Sequence, residues 1–169
     1  MASTYEAIAS QTLGSNTASV TFSSIPGTYT DLVLVIATSG DDASPQNIVM
    51  QFNADTSGGG SNYSYTTLWG TGSTAGSARS SNRADIYLDY YSAIASGSPS
   101  THVAHIMSYA NTNVFKTVLS CGARAASGVD RNVGLWRSTA AITDIKVASI
   151  LGMEFASGGT FSLFGVKAA

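Results

Sequence analysis

Residues 134–149 read GLWRSTAAITDIKVAS, and residues 159–167 read GTFSLFGVK. In the first stretch Ile142, Asp144, Lys146 and Ala148 fall on one side of an extended chain, and Thr143, Ile145, Val147 and Ser149 on the other. In the second, Phe161, Leu163, Gly165 and Lys167 alternate with Ser162, Phe164 and Val166. A period of two, filled by β-branched and aromatic residues and broken by Ser/Gly turns, is the signature of short β-strands. Neither stretch contains a nucleophile, a paired acid or a metal-ligand cluster.

The same texture extends outward. Apolar or alternating runs recur at residues 4–9, 18–23, 30–38, 46–53, 83–89, 101–109, 113–121 and 131–137, and then in the two stretches above. Between them lie turn formers: Gly14-Ser-Asn16, Ile25-Pro-Gly27, Gly40-Asp-Asp42, residues 57–61, Gly97-Ser-Pro99 and Ser157-Gly-Gly159. This spacing predicts an all-β, jelly-roll-like antiparallel sandwich of about 8–10 strands. It forms a single domain over residues 1–169, with residues 1–17 as a possible N-terminal arm able to add to a neighbour's sheet edge. One short helical turn is expected at 62–69, where Asn62 would cap and Tyr65, Leu68 and Trp69 would share a face. The Gly/Ser/Thr/Ala-rich segment 70–82 is the longest expected loop.

Of the 169 residues 44% are hydrophobic, enough for a sizeable core. Only 11% are charged, against about 25% in a typical globular domain. A neutral polar surface suits protein–protein contact, because few charges must be desolvated on docking. Net charge is −2, with three lysines and five arginines scattered along the chain. No basic cluster could neutralise a run of phosphates, so no nucleic-acid partner is expected. The longest strongly apolar run, residues 32–37, is far too short to span a membrane, and no membrane partner is expected. The N-terminus lacks the basic and apolar regions of a secretion signal, which predicts synthesis and retention in a cytosol, with exit only by lysis. Cys121 is the lone cysteine and closes the apolar run Val118-Leu-Ser-Cys121, so it reads as a buried thiol.

Tests for chemistry give little. His102 and His105 stand three apart, which on a strand sends the rings to opposite faces. Residues 53–58 match the first half of a calcium loop, but Ser64 occupies the position that needs a bidentate glutamate. A turn held by Asn and Asp side chains is the simpler reading there and at Asp41-Asp42. There is no Gly-x-Ser-x-Gly elbow. Gly70 to Gly76 is glycine-rich but lacks the Lys-Ser/Thr of a phosphate loop. The only glutamates, Glu6 and Glu154, lie near opposite ends of the chain. No catalytic residue, cofactor or metal is therefore expected, and the chain reads as a non-enzyme. The aromatics remain: Tyr63, Tyr65, Trp69, Tyr90 and Tyr91 are the candidate interface or sugar-stacking residues. Trp136 and Phe161 read as core, and one of the adjacent pair Tyr90-Tyr91 should be exposed.

Three clusters of residues also resemble a known family. The opening has Leu13-Gly14, Phe22, Ile25-Pro26, Tyr29 and Asp31-Leu32; the centre has Phe52-Asn53, Asp55, Asn62-Tyr63-Ser64 and Gly70. The close has Leu135-Trp136, residues 138–142 and residues 155–166. Together they are similar to a family of small virion proteins of tailed bacteriophages, cyanophages among them. The resemblance covers nearly the whole chain, but its motifs are turns and core residues. It implies a capsid decoration (cement) protein on the outer capsid surface of the virion, synthesised in the host cytoplasm. Such a protein would form a homotrimer and contact the major capsid protein. The alternative it implies is a tail-fibre or receptor-binding module recognising host surface glycans.

Overall fold

The stretch DLVLVIAT at 31–38 shows how the fold is built. Leu32, Leu34 and Ile36 are fully buried, while Val33 and Val35 on the opposite side are only partly covered. A strand apolar on both sides must be covered on both, and only one side finds its cover within this chain. The computed structural model describes residues 4–55 and 61–167. Its strands are β1 (Tyr5–Thr12), β2 (Ser19–Phe22), β3 (Asp31–Thr38), β4 (Ile48–Phe52), β5 (Tyr63–Gly70) and β6 (Ala75–Arg83). They continue with β7 (Ile86–Tyr87), β8 (Ser100–Met107), β9 (Lys116–Arg124), β10 (Gly128–Trp136), β11 (Ile145–Ser149) and β12 (Thr160–Val166). A single 3-10 turn, Ile150–Gly152, follows β11.

These strands form two antiparallel sheets packed as a sandwich. The larger has eight strands in the order β1-β12-β3-β8-β9-β10-β5-β6, and the smaller has four in the order β2-β11-β4-β7. The all-β jelly-roll-like sandwich expected from the alternation is the fold observed. Phe161 and Leu163 of β12, the inward residues of β3, Ile106 and Val118 face Val20, Phe22, Met50, Phe52, Ile145 and Val147 across the core. Each such side chain contributes about 1.5–3 kcal/mol by leaving water. At one end Trp136 stacks on Tyr63 (centroids 6.2 Å apart) and tilts against Phe52 at 5.5 Å. The Tyr63 hydroxyl is held by the Phe52 backbone, and Trp136 Nε1 donates to Asp55 Oδ2 at 2.7 Å. Trp136 and Phe161 are core residues, as their strands imply.

Two expectations are corrected. Residues 63–70 are β5, not a helical turn. Tyr63, Tyr65 and Thr67 point inward, and Leu68 lies 61% exposed on the other face. Strand alternation therefore overrides the helical spacing of Tyr65, Leu68 and Trp69. Most of the expected loop 70–82 is β6, joined to β5 by a turn in which the Thr71 N–H donates to the Thr74 carbonyl. Small residues can extend as readily as loop, and pairing with β5 decides the outcome. Residues 5–12, part of the possible arm, pair as β1 with β12 of the same chain.

Candidate functional site

The smaller sheet is half as wide as the larger, so beyond β7 the inner face of β9, β10 and β5 is covered by the irregular segment 88–92. An irregular segment leaves backbone groups unpaired, and they must find partners when buried. The inward residues of β9 and β10 supply them. Ser120 Oγ and Asn132 Nδ2 both donate to the Leu88 carbonyl, at 3.0 and 2.8 Å. Asp130 accepts from the backbone N–H groups of Tyr91 and Ser92 and from the Ser92 hydroxyl. Asp89, fully buried, accepts from Asn47 Nδ2 at 2.7 Å and from the Ile48 N–H. His102 Nε2 lies 3.7 Å from Asp89 Oδ2 and 2.8 Å from Ser100 Oγ. Burial pushes the Asp89 carboxyl up to about 7 and the His102 ring down to about 4. Ser100, His102 and Asp89 do not form a nucleophile relay. Serine and acid meet the same ring nitrogen, and all three side chains are sealed from solvent.

The aromatic candidates divide. Tyr63 is wholly buried in the Trp136 stack, where burial raises its hydroxyl pKa, and it is corrected from surface candidate to core. Tyr65 is also buried and is likewise corrected from surface candidate to interior, stacked on Tyr87 at 4.7 Å, with the Arg83 guanidinium 4.8 Å above the Tyr87 ring. Trp69 stacks on Tyr91 at 4.1 Å and lies against Gly76, where an added Cβ would stand 2.4 Å from the indole. Tyr90 and Tyr91 are both more than a third exposed and lie 5.8 Å apart. The structure thus joins Trp69, Tyr90 and Tyr91 at one end of the sandwich, with Tyr65 beneath.

His102 and His105 face opposite ways: His102 is sealed in the core, and His105 pairs with Asp31 at 3.1 Å on the outer face. Among the described residues no group of three or more His, Cys, Asp or Glu is placed to hold a metal ion. Part of the 53–64 segment weighed for calcium lies outside the described residues. Asn53 instead fastens residues 141–144: its Oδ1 accepts from the Thr143 and Asp144 N–H groups, and its Nδ2 donates to the Ala141 carbonyl. Cys121 is corrected from buried to half-buried, because it points to the outer face of β9.

That outer face is what the sequence reading missed. Leu68, Val103, Met107, Leu119, Val129 and Val133 are 40–61% exposed on the four adjacent strands β8, β9, β10 and β5. In register, Val133 stands opposite Leu119, and Val103 lies between Val35 and Cys121. A hollow of about 390 Å³ opens among Leu68, Leu119, Val133, Thr66 and Arg131. Phe115 and Val114 extend the apolar surface past the start of β9. Among the described strand residues of this face, charge enters only at Arg79, Arg131 and the Asp31–His105 pair. The available signal was a set of strands apolar at successive positions, as in residues 32–36, which predicts a face needing cover on both sides.

No family model matches the chain, and no curated protein matches it. Among solved structures it is similar to an exo-inulinase from Aspergillus awamori, at 9% identity and a TM-score of 0.43. That match covers 96% of this chain but 29% of the inulinase, so the chain spans less than a third of its length. It is also similar to the alginate lyase Aly36B at 8% identity, covering 94% of this chain and 79% of the lyase with a TM-score of 0.36. A third is a xylan beta-1,4-xylosidase from Bacillus halodurans C-125 at 10% identity, covering 82% of this chain and 27% of that one, with a TM-score of 0.32. These are enzymes, and the expectation that this chain is not one is overturned by them and withdrawn. At such TM-scores the likeness transfers no activity or substrate.

Proposed function

We propose that this chain is a structural protein of a bacteriophage virion: a capsid decoration protein that self-associates as a trimer and stabilises the outer shell through the major capsid protein. The supporting observation is the outer face of the eight-stranded sheet, where Leu68, Leu119, Val129 and Val133 stand exposed with little charge between them. Contiguous exposed apolar patches mark protein–protein contact. The resemblance of its motifs to those of small phage virion proteins points the same way. A cement protein acts by mass action: it binds the assembled shell and not its separated parts, so the shell becomes harder to rupture. Particles lacking it should assemble and package DNA but inactivate faster on heating, with adsorption to cells unchanged. Normal heat resistance with lost adsorption would overturn this reading. It would favour the second one, a tail-fibre module holding host glycans, for which the exposed Tyr90 and Tyr91 beside Trp69 are the motive.

A further inference from the structure

We infer that the outer face of the eight-stranded sheet is covered by other copies of this chain. This inference deepens the structural-protein reading and rests on it for the choice of a protein as occupant.

The first argument is area. Eight strands about 4.8 Å apart and about 26 Å long present on the order of 1,000 Å² in projection. A stable interface needs about 800 Å² from each partner. The second argument is charge. The Asp31–His105 pair at 3.1 Å satisfies itself, and Arg79 sits on the edge strand β6. That leaves Arg131 as the one charged residue among the central apolar side chains. A foreign partner selected by charge would find little to read here, whereas a copy of the same face meets apolar surface with apolar surface and brings few like charges together. The third argument is relief. The hollow among Leu68, Leu119 and Val133 lies at β5, β9 and β10, while exposed Phe115 and Val114 stand at the β8–β9 turn. The same face therefore carries two separate apolar places, and both are covered together when a second copy lies across it. The central strands are paired on both sides, so the face is formed before docking and little order must be gained on association.

The test is sedimentation of the purified full chain at micromolar concentration, comparing wild type with Leu119→Lys and Val133→Lys. Both side chains are at least 42% exposed, so the variants should keep the wild-type circular dichroism and unfolding transition. Wild type should be oligomeric, and each variant should dissociate with a dissociation constant raised about ten-fold or more. Leu151→Lys serves as control: Leu151 is 89% exposed but lies on the 3-10 turn, away from this face, and the variant should associate like wild type. Maleimide should label Cys121 more slowly in wild type than in Leu119→Lys, because association covers it. A monomeric wild type, or an oligomer indifferent to both lysines, overturns the inference. So does a monomer that uses this face only to bind the major capsid protein. An oligomer absent from purified particles would sink the virion reading and leave the inference standing. A monomer present in particles would do the reverse.

Discussion

Between the sheets, Asp89 and His102 invert their solution behaviour: the acid holds a proton at a pH where the ring does not. Burial is the cause for both, since a neutral acid beside a neutral ring is the least costly arrangement out of water. The signs of the two linkages oppose. Asp89 keeps its proton up to about 7 when folded, against 3.8 when unfolded, so this group makes stability fall as pH rises through that window. His102 gives up its proton at about 4 when folded, against 6.5 when unfolded, so this group makes stability rise between about 4 and 6.5. The two slopes, each about 1.4 kcal/mol per pH unit, cancel between about pH 4 and 6.5. Asp89→Asn should expose the histidine slope alone, so that urea unfolding shows stability rising with pH across the window where wild type is nearly flat. A flat Asp89→Asn profile would mean that His102 keeps its proton in the folded chain. Trp136 belongs to this scale too. Trp136→Ala should lose about 3–5 kcal/mol by denaturant unfolding, as for other fully buried aromatics. A variant that unfolds like wild type but fails to join the particle would make Trp136 an interface anchor instead.

Among the elements, the β5–β6 hairpin stands apart. β5 contributes Tyr65 and Thr67 to the interior, but β6 is built from Ala, Gly, Ser, Asn and Arg and is nowhere fully buried. It is an edge strand bonded to β5 alone, and it buries little apolar surface that must be exposed before its hydrogen bonds can open. Amide exchange should therefore be fastest, among the strands of the larger sheet, in β6, and slowest in β8, β9 and β10. Protection of β6 equal to that of β9 would show the edge to be covered. Such a strand is hard to read in advance, because nothing in AGSARSSNR distinguishes an extended edge from a loop until β5 is beside it.

Across the whole molecule, the two sheets are unequal in width, and the surplus of the larger one creates both the polar interior around Asp89 and Asp130 and the demand for an irregular cover. On its far side the same sheet offers an apolar face with little charge. Association through that face should be indifferent to salt, or strengthened by it, between about 0.1 and 1 M, because screening removes attractions between exposed charges and leaves apolar burial intact. Sedimentation across a salt series would check this. Dissociation at high salt would mean that Arg131, Arg79 or the Asp31–His105 pair holds the contact instead.

Alternation in runs such as 31–38 and 159–167 was enough to establish an all-β antiparallel sandwich, because side-chain direction along a strand is a local property of the chain. The same reasoning placed Trp136 and Phe161 in the core and sent His102 and His105 to opposite faces. It failed where the deciding partner was distant in sequence. Residues 62–69 carry spacing compatible with a helix, and only β10 on one side and β6 on the other make them a strand. Tyr63 became core because Phe52 and Trp136 close around it, while Leu68, Leu119 and Val133 became a surface because the smaller sheet covers only one side of the larger. Periodicity tells which residues share a side; tertiary packing decides which side is covered, and by what.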